Sequence, residues 1–361
     1  MTTDLLSPQS LQHYITDAGL WPGLLHLLEG GEAQEYLNNL YNYVDEQLVS
    51  DAIPRPAALE LLKKIAQQFE IFPQQIMLED VVFDYNPVTA SSFAIIYKGQ
   101  HEGKAIALKY PNILGLASPT NYTTHQLTRI FRREVAIWCL LRNPYIQPFI
   151  GGIYVPNTNL VYAVSHWCDN GTVNDFIKST QPSLPRVNSF IFEIALGLKY
   201  LHFHAVTHGD LRGANVLVSD DGKALLTDFG LATYTEEAAE TGRNLGLTTK
   251  ALQKDGAKPW MAPELVDDSM DGLRRTVATD VYAFACTVWE LDMGGAHPWS
   301  PWAGKAMYKL TMDVIAGKRP PRPTNMCDGL WAIVEECWAQ DAAARPGMDA
   351  VITSLSSASI M

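Results

Sequence analysis

The segment HGDLRGANVLV, from His208 to Val218, determines how we interpret this chain. It is followed by LLTDFGLA, from Leu225 to Ala232, and later by WMAPEL, which begins at Trp260. Any one of these segments could arise by chance. The three in this order, with a lysine in AIALK and a glutamate in FRREV upstream of them, could hardly do so.

Together these segments resemble the signatures of the protein kinase family: a catalytic loop, a DFG triplet and an APE triplet. The resemblance covers about residues 80–356. It implies an α+β fold with a small antiparallel-sheet lobe over about residues 80–167 and a large helical lobe over about residues 168–356. Residues 1–79 are expected to form a helical N-terminal extension in front of this kinase domain.

Hydrophobic periodicity is consistent with this order of elements. Two stretches before residue 80 repeat apolar residues at helical spacing. Their members are Leu37, Leu40, Tyr41, Val44 and Leu48, and then Leu62, Ile65, Ala66 and Phe69. The short β-rich runs VVFDY, FAIIYKG, KAIALKY and NLVYAVSHW follow, interrupted by one helix that begins at Phe131. After Trp167 the pattern is mainly helical.

The resemblance assigns catalytic roles residue by residue, with ATP as the phosphate donor and Mg²⁺ as the metal. Phosphoryl transfer needs the positioning of negative oxygens more than covalent chemistry, so carboxylates must hold the metal and cations the phosphates. Asp210 matches the base that accepts the proton of the substrate hydroxyl, and Arg212 keeps a positive charge near the transferred phosphate. Asn215 and Asp228 match the magnesium ligands.

The resemblance also implies two ion pairs and one anchor. Lys109 should reach the α- and β-phosphates of ATP while Glu134 holds it in place. Glu264 and Arg345 match a buried pair that ties the end of the activation segment to the large lobe. Asp280 matches a helix residue that anchors the backbone of the catalytic loop.

The segment PVTASSFAIIYKG stands where this family has a glycine-rich loop, yet Thr89, Ser91 and Ala94 occupy the three glycine positions. Glycine lets the backbone turn tightly and approach phosphate without a Cβ in the way. The hydroxyls of Thr89, Ser91 and Ser92 are able to hydrogen-bond phosphate and to compensate in part. We therefore expect a working kinase that binds nucleotide weakly and is slow.

The adenine site is expected to lie at a hinge between the lobes. The hinge resembles the segment from Ser165, at the gatekeeper position, to Cys168, where backbone groups of His166 and Cys168 would meet the adenine edge. The apolar residues expected above and below the ring are Ile96, Ala107 and Leu217. The same three residues would also suit ordinary core packing, because the walls of such a pocket are formed by residues of the hydrophobic core.

Gly209 is a second departure, since it replaces the arginine that the family commonly has before the catalytic aspartate. In kinases switched by activation-loop phosphorylation, that arginine receives the phosphate. We therefore expect activity to depend little on such phosphorylation. The hydroxyl-bearing residues of that loop are interpreted as parts of a solvated segment. They are Tyr234, Thr235, Thr241, Thr248 and Thr249.

Ser and Thr are the expected phosphate acceptors, in preference to Tyr. Arg212, Ala257 and Trp260 resemble the tyrosine-kinase-like group, and especially its many members in mushroom-forming fungi. One alternative is a pseudokinase scaffold with weakened nucleotide binding and a partner-binding N-terminal segment. Another is a small-molecule kinase, which WMAPEL and LWAIVEECW disfavour because they look like protein-kinase features.

Composition limits the partners. A formal net charge of −12 disfavours binding to nucleic acid or to an anionic membrane, because both would repel the chain. The 5 scattered cysteines lack the spacing of a zinc site or a disulfide framework. Without a signal peptide or a membrane-spanning run, we expect a cytoplasmic protein. Its N-terminal helices have three open roles: packing on the small lobe, recruiting a protein partner or inhibiting the active site.

Overall fold

A computed structural model describes residues 5–28, 31–47, 55–91, 94–113, 123–155, 160–234, 255–267, 275–298 and 307–358. Several residues named above lie outside these ranges. They are Leu48, Ser92, Thr235, Thr241, Thr248 and Thr249. The chain divides into two compact units, of which the first comprises Met1–Arg142 and Pro148–Trp167 and the second comprises Asn143–Gln147 and Cys168–Met361.

The first unit contains five described helices. They are α1 (Pro8–Thr16), α2 (Trp21–Leu27), α3 (Ala33–Gln47), α4 (Arg55–Gln68) and α5 (Thr124–Trp138). Helix α4 contacts α1, α3 and α5, and eight of its nine residues from Ala58 to Ala66 are buried. The predicted apolar residues within α3 and α4 are buried too, which confirms helices that pack through those faces. Phe69 is the exception, since it follows the end of α4 and is half-buried.

A six-stranded antiparallel sheet completes the first unit. Its strands are β1 (Val82–Phe83), β2 (Thr89–Ala90), β3 (Ala94–His101), β4 (Lys104–Pro111), β5 (Phe149–Tyr154) and β6 (Val161–His166). They lie in the order β1-β3-β4-β6-β5, and β2 also pairs with β3. Alternate residues of β3, β4 and β6 form an apolar core on one face of the sheet. Strand β5 was not among the predicted strands.

The second unit is mainly helical. Its helices are α6 (Val173–Thr180), α7 (Leu184–Phe203), α8 (Pro263–Val266), α9 (Val277–Asp292), α10 (Met307–Ile315), α11 (Asp328–Cys337) and α12 (Met348–Ser357). Its short strands are β7 (Val206–Thr207), β8 (Val216–Val218), β9 (Ala224–Leu226) and β10 (Thr233–Tyr234). Helix α9 is apolar and buried along most of its length, as expected of a helix at the centre of a core.

These elements form the α+β fold that the sequence predicted, with one unit that holds the antiparallel sheet and one that is mostly helical. The helices before residue 80 belong to the first unit, in contact with its helix α5. No helix among the described residues is long and apolar enough to cross a membrane.

Candidate active site

One face of the sheet gathers four of the predicted site residues. Ile96 on β3 lies opposite Lys109 on β4, and Ala107 on β4 lies opposite Ser165 on β6. Residues two apart on a strand, and residues directly opposite on neighbouring strands, share a face. Ile96, Ala107 and Lys109 are half-buried, whereas the other face of these strands is fully buried. The half-buried face is therefore the one available to a ligand.

Lys109 and Glu134 form an ion pair on this face. Lys109 Nζ lies 2.5 Å from Glu134 Oε1, and the two side chains are 14% and 4% exposed. Glu134 belongs to α5, which begins at a capping box formed by Thr123 and Gln126. A charged pair this deeply buried holds its lysine in one place, because separating the partners would leave an uncompensated charge.

The loop that replaces the glycine-rich loop is closed by a side chain. The Ser91 hydroxyl accepts a hydrogen bond from the Ala94 backbone N–H at 3.1 Å and lies 3.2 Å from the Ala94 carbonyl. Asn112 Nδ2 donates to the Ser91 carbonyl at 2.7 Å. The Ser91 hydroxyl, which we expected to bind phosphate, is therefore used within the turn itself.

The backbone of this loop also has no need of glycine where it is described. Thr89, Ser91 and Ala94 are absent from the residues with positive φ. Only a left-handed backbone strongly favours glycine, so these substitutes are tolerated without backbone strain. Thr89 is exposed and Ala94 is buried.

Asp210, Arg212 and Asn215 come together in the catalytic loop of the second unit. Asn215 Nδ2 donates to the Asp210 carbonyl at 2.6 Å and to Asp210 Oδ2 at 2.9 Å. Arg212 Nε lies 3.8 Å from Asp210 Oδ1. Asp210 and Asn215 are 6% and 4% exposed, so this carboxylate is held by a neighbouring amide and flanked by a guanidinium.

Asp280 anchors the start of the same loop. Its carboxylate accepts the backbone N–H groups of His208 at 2.7 Å and Gly209 at 2.9 Å, and it lies 3.0 Å from His202 Nε2. The His208 ring contacts the Thr227 carbonyl at 3.0 Å through Nε2. Since Thr227 precedes Asp228, this contact links the catalytic loop to the DFG segment.

Asp228 has an unusual backbone. Its φ and ψ are 64° and 69°, in the left-handed region that costs a residue with a Cβ about 1–2 kcal/mol. Strain of this kind persists where the surroundings impose it, and it is often found at functional sites.

The oxygen donors of Asn215 and Asp228 fit a magnesium ion. Mg²⁺ prefers oxygen ligands and usually takes one or two carboxylates together with substrate phosphates and water. The amide nitrogen of Asn215 is directed at Asp210, which leaves its carbonyl oxygen for a cation. Within the described ranges, no cluster of three or more His, Cys, Asp or Glu side chains forms an all-protein metal site.

The remaining predicted adenine residues lie on both sides of the boundary between the units. His166 is exposed at the end of β6, and Cys168 is half-buried at the start of the second unit. The Cys168 thiol lies 3.8 Å from Gln147 Oε1, and burial raises its pKa to about 11. Leu217 is half-buried in β8 and pairs with Thr172.

Glu290 is a site residue that our sequence analysis missed. Its carboxylate accepts from the Gly213 backbone at 2.8 Å, from Trp260 Nε1 at 2.9 Å and from Asn174 Nδ2 at 2.7 Å. Burial raises its pKa, although these hydrogen bonds oppose that effect. A second carboxylate in the apolar helix segment DVYAFACTVWEL, besides Asp280, was the available signal, because a carboxylate within a buried helix must find partners.

The ion pair expected between Glu264 and Arg345 is also present. Arg345 donates to the two carboxylate oxygens of Glu264 at 2.6 and 2.8 Å. This bidentate geometry fixes the short helix α8 that follows the activation segment. Arg212, in turn, has its guanidinium 6.0 Å from the centre of the Trp260 ring.

Comparison with known proteins gives one family. The family model described as protein tyrosine and serine/threonine kinase matches residues 85–355. A probable serine/threonine-protein kinase of Dictyostelium discoideum is 26% identical over 291 residues, which are 78% of this chain and 29% of that protein.

Two plant proteins are similar to the same extent. A serine/threonine/tyrosine-protein kinase of Arabidopsis thaliana is 25% identical over 280 residues, covering 76% of this chain and 65% of that protein. A serine/threonine-protein kinase of the same plant is 26% identical over 304 residues, covering 83% and 47%. The chain therefore spans between 29% and 65% of the length of these three relatives.

Proposed function

The chain belongs to the family of protein tyrosine and serine/threonine kinases, and on this premise we propose that it transfers the γ-phosphate of ATP to hydroxyl groups of protein substrates. We further propose Ser and Thr as the usual acceptors, with Tyr less favoured. The names of the three relatives support this choice, since each includes serine/threonine and one adds tyrosine. Within the family we assign the chain to the tyrosine-kinase-like group, close to kinases of mushroom-forming fungi, on Arg212, Ala257 and Trp260.

The observation that carries the proposal is the environment of Asp210. A general base must be fixed within hydrogen-bond reach of the proton that it removes. Asn215 donates to Asp210 Oδ2 and keeps the carboxylate in place, so we assign proton acceptance from the substrate hydroxyl to Asp210. Arg212, whose Nε lies 3.8 Å from Asp210 Oδ1, supplies positive charge near the transferred phosphate.

Lys109 has a separate task on the sheet. Its ammonium, held by Glu134, binds phosphate oxygens of ATP and keeps the nucleotide in one position. Magnesium held by Asn215 and Asp228 neutralises charge on the phosphates when it is bound. Ile96 and Ala107 provide the apolar surface for adenine.

The rate should be low for a kinase. The Ser91 hydroxyl is committed to its own turn, and the loop brings Cβ atoms where the family has glycines. Both features weaken the hold on the phosphates. They leave Asp210, Asn215 and Asp228 unchanged, so the protein should keep its activity but bind nucleotide with reduced affinity.

The proposal is tested with Asp210→Asn in the full chain. Transfer of labelled γ-phosphate from ATP and Mg²⁺ to the protein itself and to a generic protein substrate is measured for wild type and variant. We expect transfer by the wild type and a loss of at least about 100-fold in the variant, because the base is removed while its shape is kept. Phosphoamino-acid analysis should find phosphoserine or phosphothreonine.

Asp221→Asn is the matched control. Asp221 is exposed and paired with Lys223 at 2.7 Å, so this change removes a carboxylate of the same unit outside the catalytic loop and should preserve transfer. If the wild type neither transfers phosphate nor binds nucleotide, the proposed kinase activity is wrong and the chain is better described as a pseudokinase scaffold.

A further inference from the structure

Helix α5, which carries Glu134, is buried on every side along its last two turns. All eight residues from Phe131 to Trp138 are buried, including Arg132 and Arg133, which are 5% and 8% exposed. Arginine is almost never fully buried unless its charge is paired. We therefore expect a group that pairs with the arginines of α5 on the side away from Lys109 and the sheet.

Helix α4 of the N-terminal extension provides that partner. It packs along α5, and the segment just after it supplies a carboxylate. Glu70 Oε1 accepts from Arg132 Nη1 at 2.8 Å, and Glu70 Oε2 accepts from Arg132 Nη2 at 3.3 Å. Two parallel hydrogen bonds of this kind fix orientation as well as distance.

The backbone at Glu70 is that of a glycine position. Its φ is 56°, and the Ile71 N–H bonds to the Ala66 carbonyl at 3.2 Å, which is the closure of a helix C-terminus that normally has glycine at this point. A residue with a Cβ costs about 1 kcal/mol there. Glutamate at such a position, with its carboxylate paired, indicates that the side chain has a role.

Arg132 and Glu134 act on opposite sides of α5. Each residue of an α-helix advances by about 100°, so two residues apart lie about 200° apart around the axis. Glu134 meets Lys109 on one side, and Arg132 meets Glu70 on the other. A rotation of α5 that moved Glu134 away from Lys109 would also break the contact with Glu70.

We propose that Glu70 and Arg132 are positioning residues for the Lys109–Glu134 pair, through which the N-terminal extension holds α5 in its active orientation. The chain thus supplies an activating contact for this helix from its own sequence. The inference rests on the proposed kinase function only for its effect on activity, because the effect on α5 itself is measurable in an inactive protein.

The first test is Glu70→Gln in the full chain. This change keeps the size of the side chain and removes its charge. Relative to wild type, we expect kcat to fall by about 1.5-fold to fivefold, the range that corresponds to loss of one ion pair whose carboxylate side chain is 43% exposed. Asp349→Asn, which removes the exposed pair with Lys199 in the second unit, is the control and should leave kcat unchanged. Arg132→Lys, which keeps the charge but not the planar fork, should lower kcat in the same direction.

The decisive readouts are a double-mutant cycle and hydrogen exchange. If Glu70 acts through Glu134, then Glu70→Gln added to Glu134→Gln should cause no further loss of kcat. In Glu70→Gln alone, backbone amides of α5 should exchange faster while those of β4 do not change. Unchanged exchange in α5, or an effect on kcat that adds fully to that of Glu134→Gln, would overturn the inference. A wild type without transferase activity would overturn the proposed function instead, and the exchange measurement would still decide the role of Glu70.

Discussion

A side chain has no room at position 209. Gly209 has a φ of +77°, and a Cβ there would lie 2.6 Å from the Arg275 Cδ and 2.6 Å from the Leu231 carbonyl oxygen. Arg275 is buried and donates its Nε–H to the Gly209 carbonyl at 2.9 Å. The glycine thus removes the arginine expected in this loop and at the same time admits a guanidinium from the segment before α9.

We predict that Gly209→Ala destabilises the protein by about 2–4 kcal/mol. The left-handed backbone accounts for about 1 kcal/mol, and the overlap with a backbone oxygen and a buried arginine accounts for the rest. The free energy of unfolding in urea is the measurement. Gly294→Ala is the control in the same unit, since Gly294 has a φ of +70° with nothing within 4 Å of an added Cβ. Equal losses in the two variants would contradict the steric argument.

Among the elements, those with regular periodicity were predictable and those that depend on close contacts were not. The helices α3 and α4 follow from their apolar spacing. Strand β5 was missed because Gly151 and Gly152 interrupt it. An added Cβ on Gly151 would lie 2.5 Å from the Leu78 Cγ and 2.6 Å from the Ile76 carbonyl oxygen. The glycine thus allows the extension to pack on the strand, a requirement that no local pattern displays.

Helix α5 shows the same limit. Two of its arginines, Arg132 and Arg133, are buried although they stand next to each other in a charged stretch of the sequence. The cover comes from α4, and Glu70 lies 62 residues away from Arg132 in the chain. Sequence patterns report on burial within one element, whereas this burial is decided by the packing of another.

Helix α4 also contains a buried lysine. Lys63 is 1% exposed, and its Nζ lies 2.5 Å from Glu60 Oε2. Burial lowers the pKa of Lys63 to about 7; the charge of Glu60 opposes this shift, whereas the charges of Arg133 and Lys64 add to it. The folded protein therefore releases this proton at a lower pH than the unfolded chain, in which the pKa is about 10.4.

We predict that Lys63→Met changes how stability depends on pH. Between about pH 7 and about pH 10 the unfolded chain keeps the proton and the folded chain does not, so this group makes wild-type stability rise with pH. The free energy of unfolding of wild type minus that of Lys63→Met should rise by up to about 1.4 kcal/mol per pH unit in this window and level off below it. Lys64→Met, measured alongside, provides the baseline for removing a positive charge next to Glu60. A constant difference between wild type and Lys63→Met across the window would show that Lys63 keeps its proton when folded.

Across the whole molecule, the candidate site was predictable where its residues belong to short motifs. Asp210 and Asn215 are five residues apart and meet directly. Asp280, which reaches the catalytic loop from 72 residues away, was expected because it matches a family motif. Glu290 and Arg275 reach the same loop from 77 and 66 residues away, and they were not found because no motif that we identified assigns them a role. A supporting group without such a motif is decided by how distant segments pack, which no local pattern displays.

The position of Arg275 bears on regulation by the activation loop. Arg275 is 7% exposed, and its guanidinium donates to the Gly209 backbone carbonyl. A cation that receives a loop phosphate needs donors accessible to that phosphate, and this buried guanidinium does not suit that role. Activity should therefore be nearly independent of phosphorylation of the activation loop. Replacing Thr235, Thr241, Thr248 and Thr249 with Ala and Tyr234 with Phe should change kcat/KM by less than about twofold, where loss of a phosphate-ordered loop would cost far more.

Phosphatase treatment of the wild-type protein gives the independent comparison, because it removes phosphate without altering the sequence. Both preparations should have the same kcat/KM for a protein substrate. A loss of more than about tenfold in both would mean that a cation does order the loop through a phosphate. Arg275→Lys would then test whether that cation is Arg275. Lysine keeps the charge but cannot form the paired hydrogen bonds that a guanidinium offers to phosphate, so activity should fall only if Arg275 binds the phosphate. If the variant with altered hydroxyls loses activity and the phosphatase-treated protein does not, the hydroxyls themselves contribute to the loop, and phosphorylation is still dispensable.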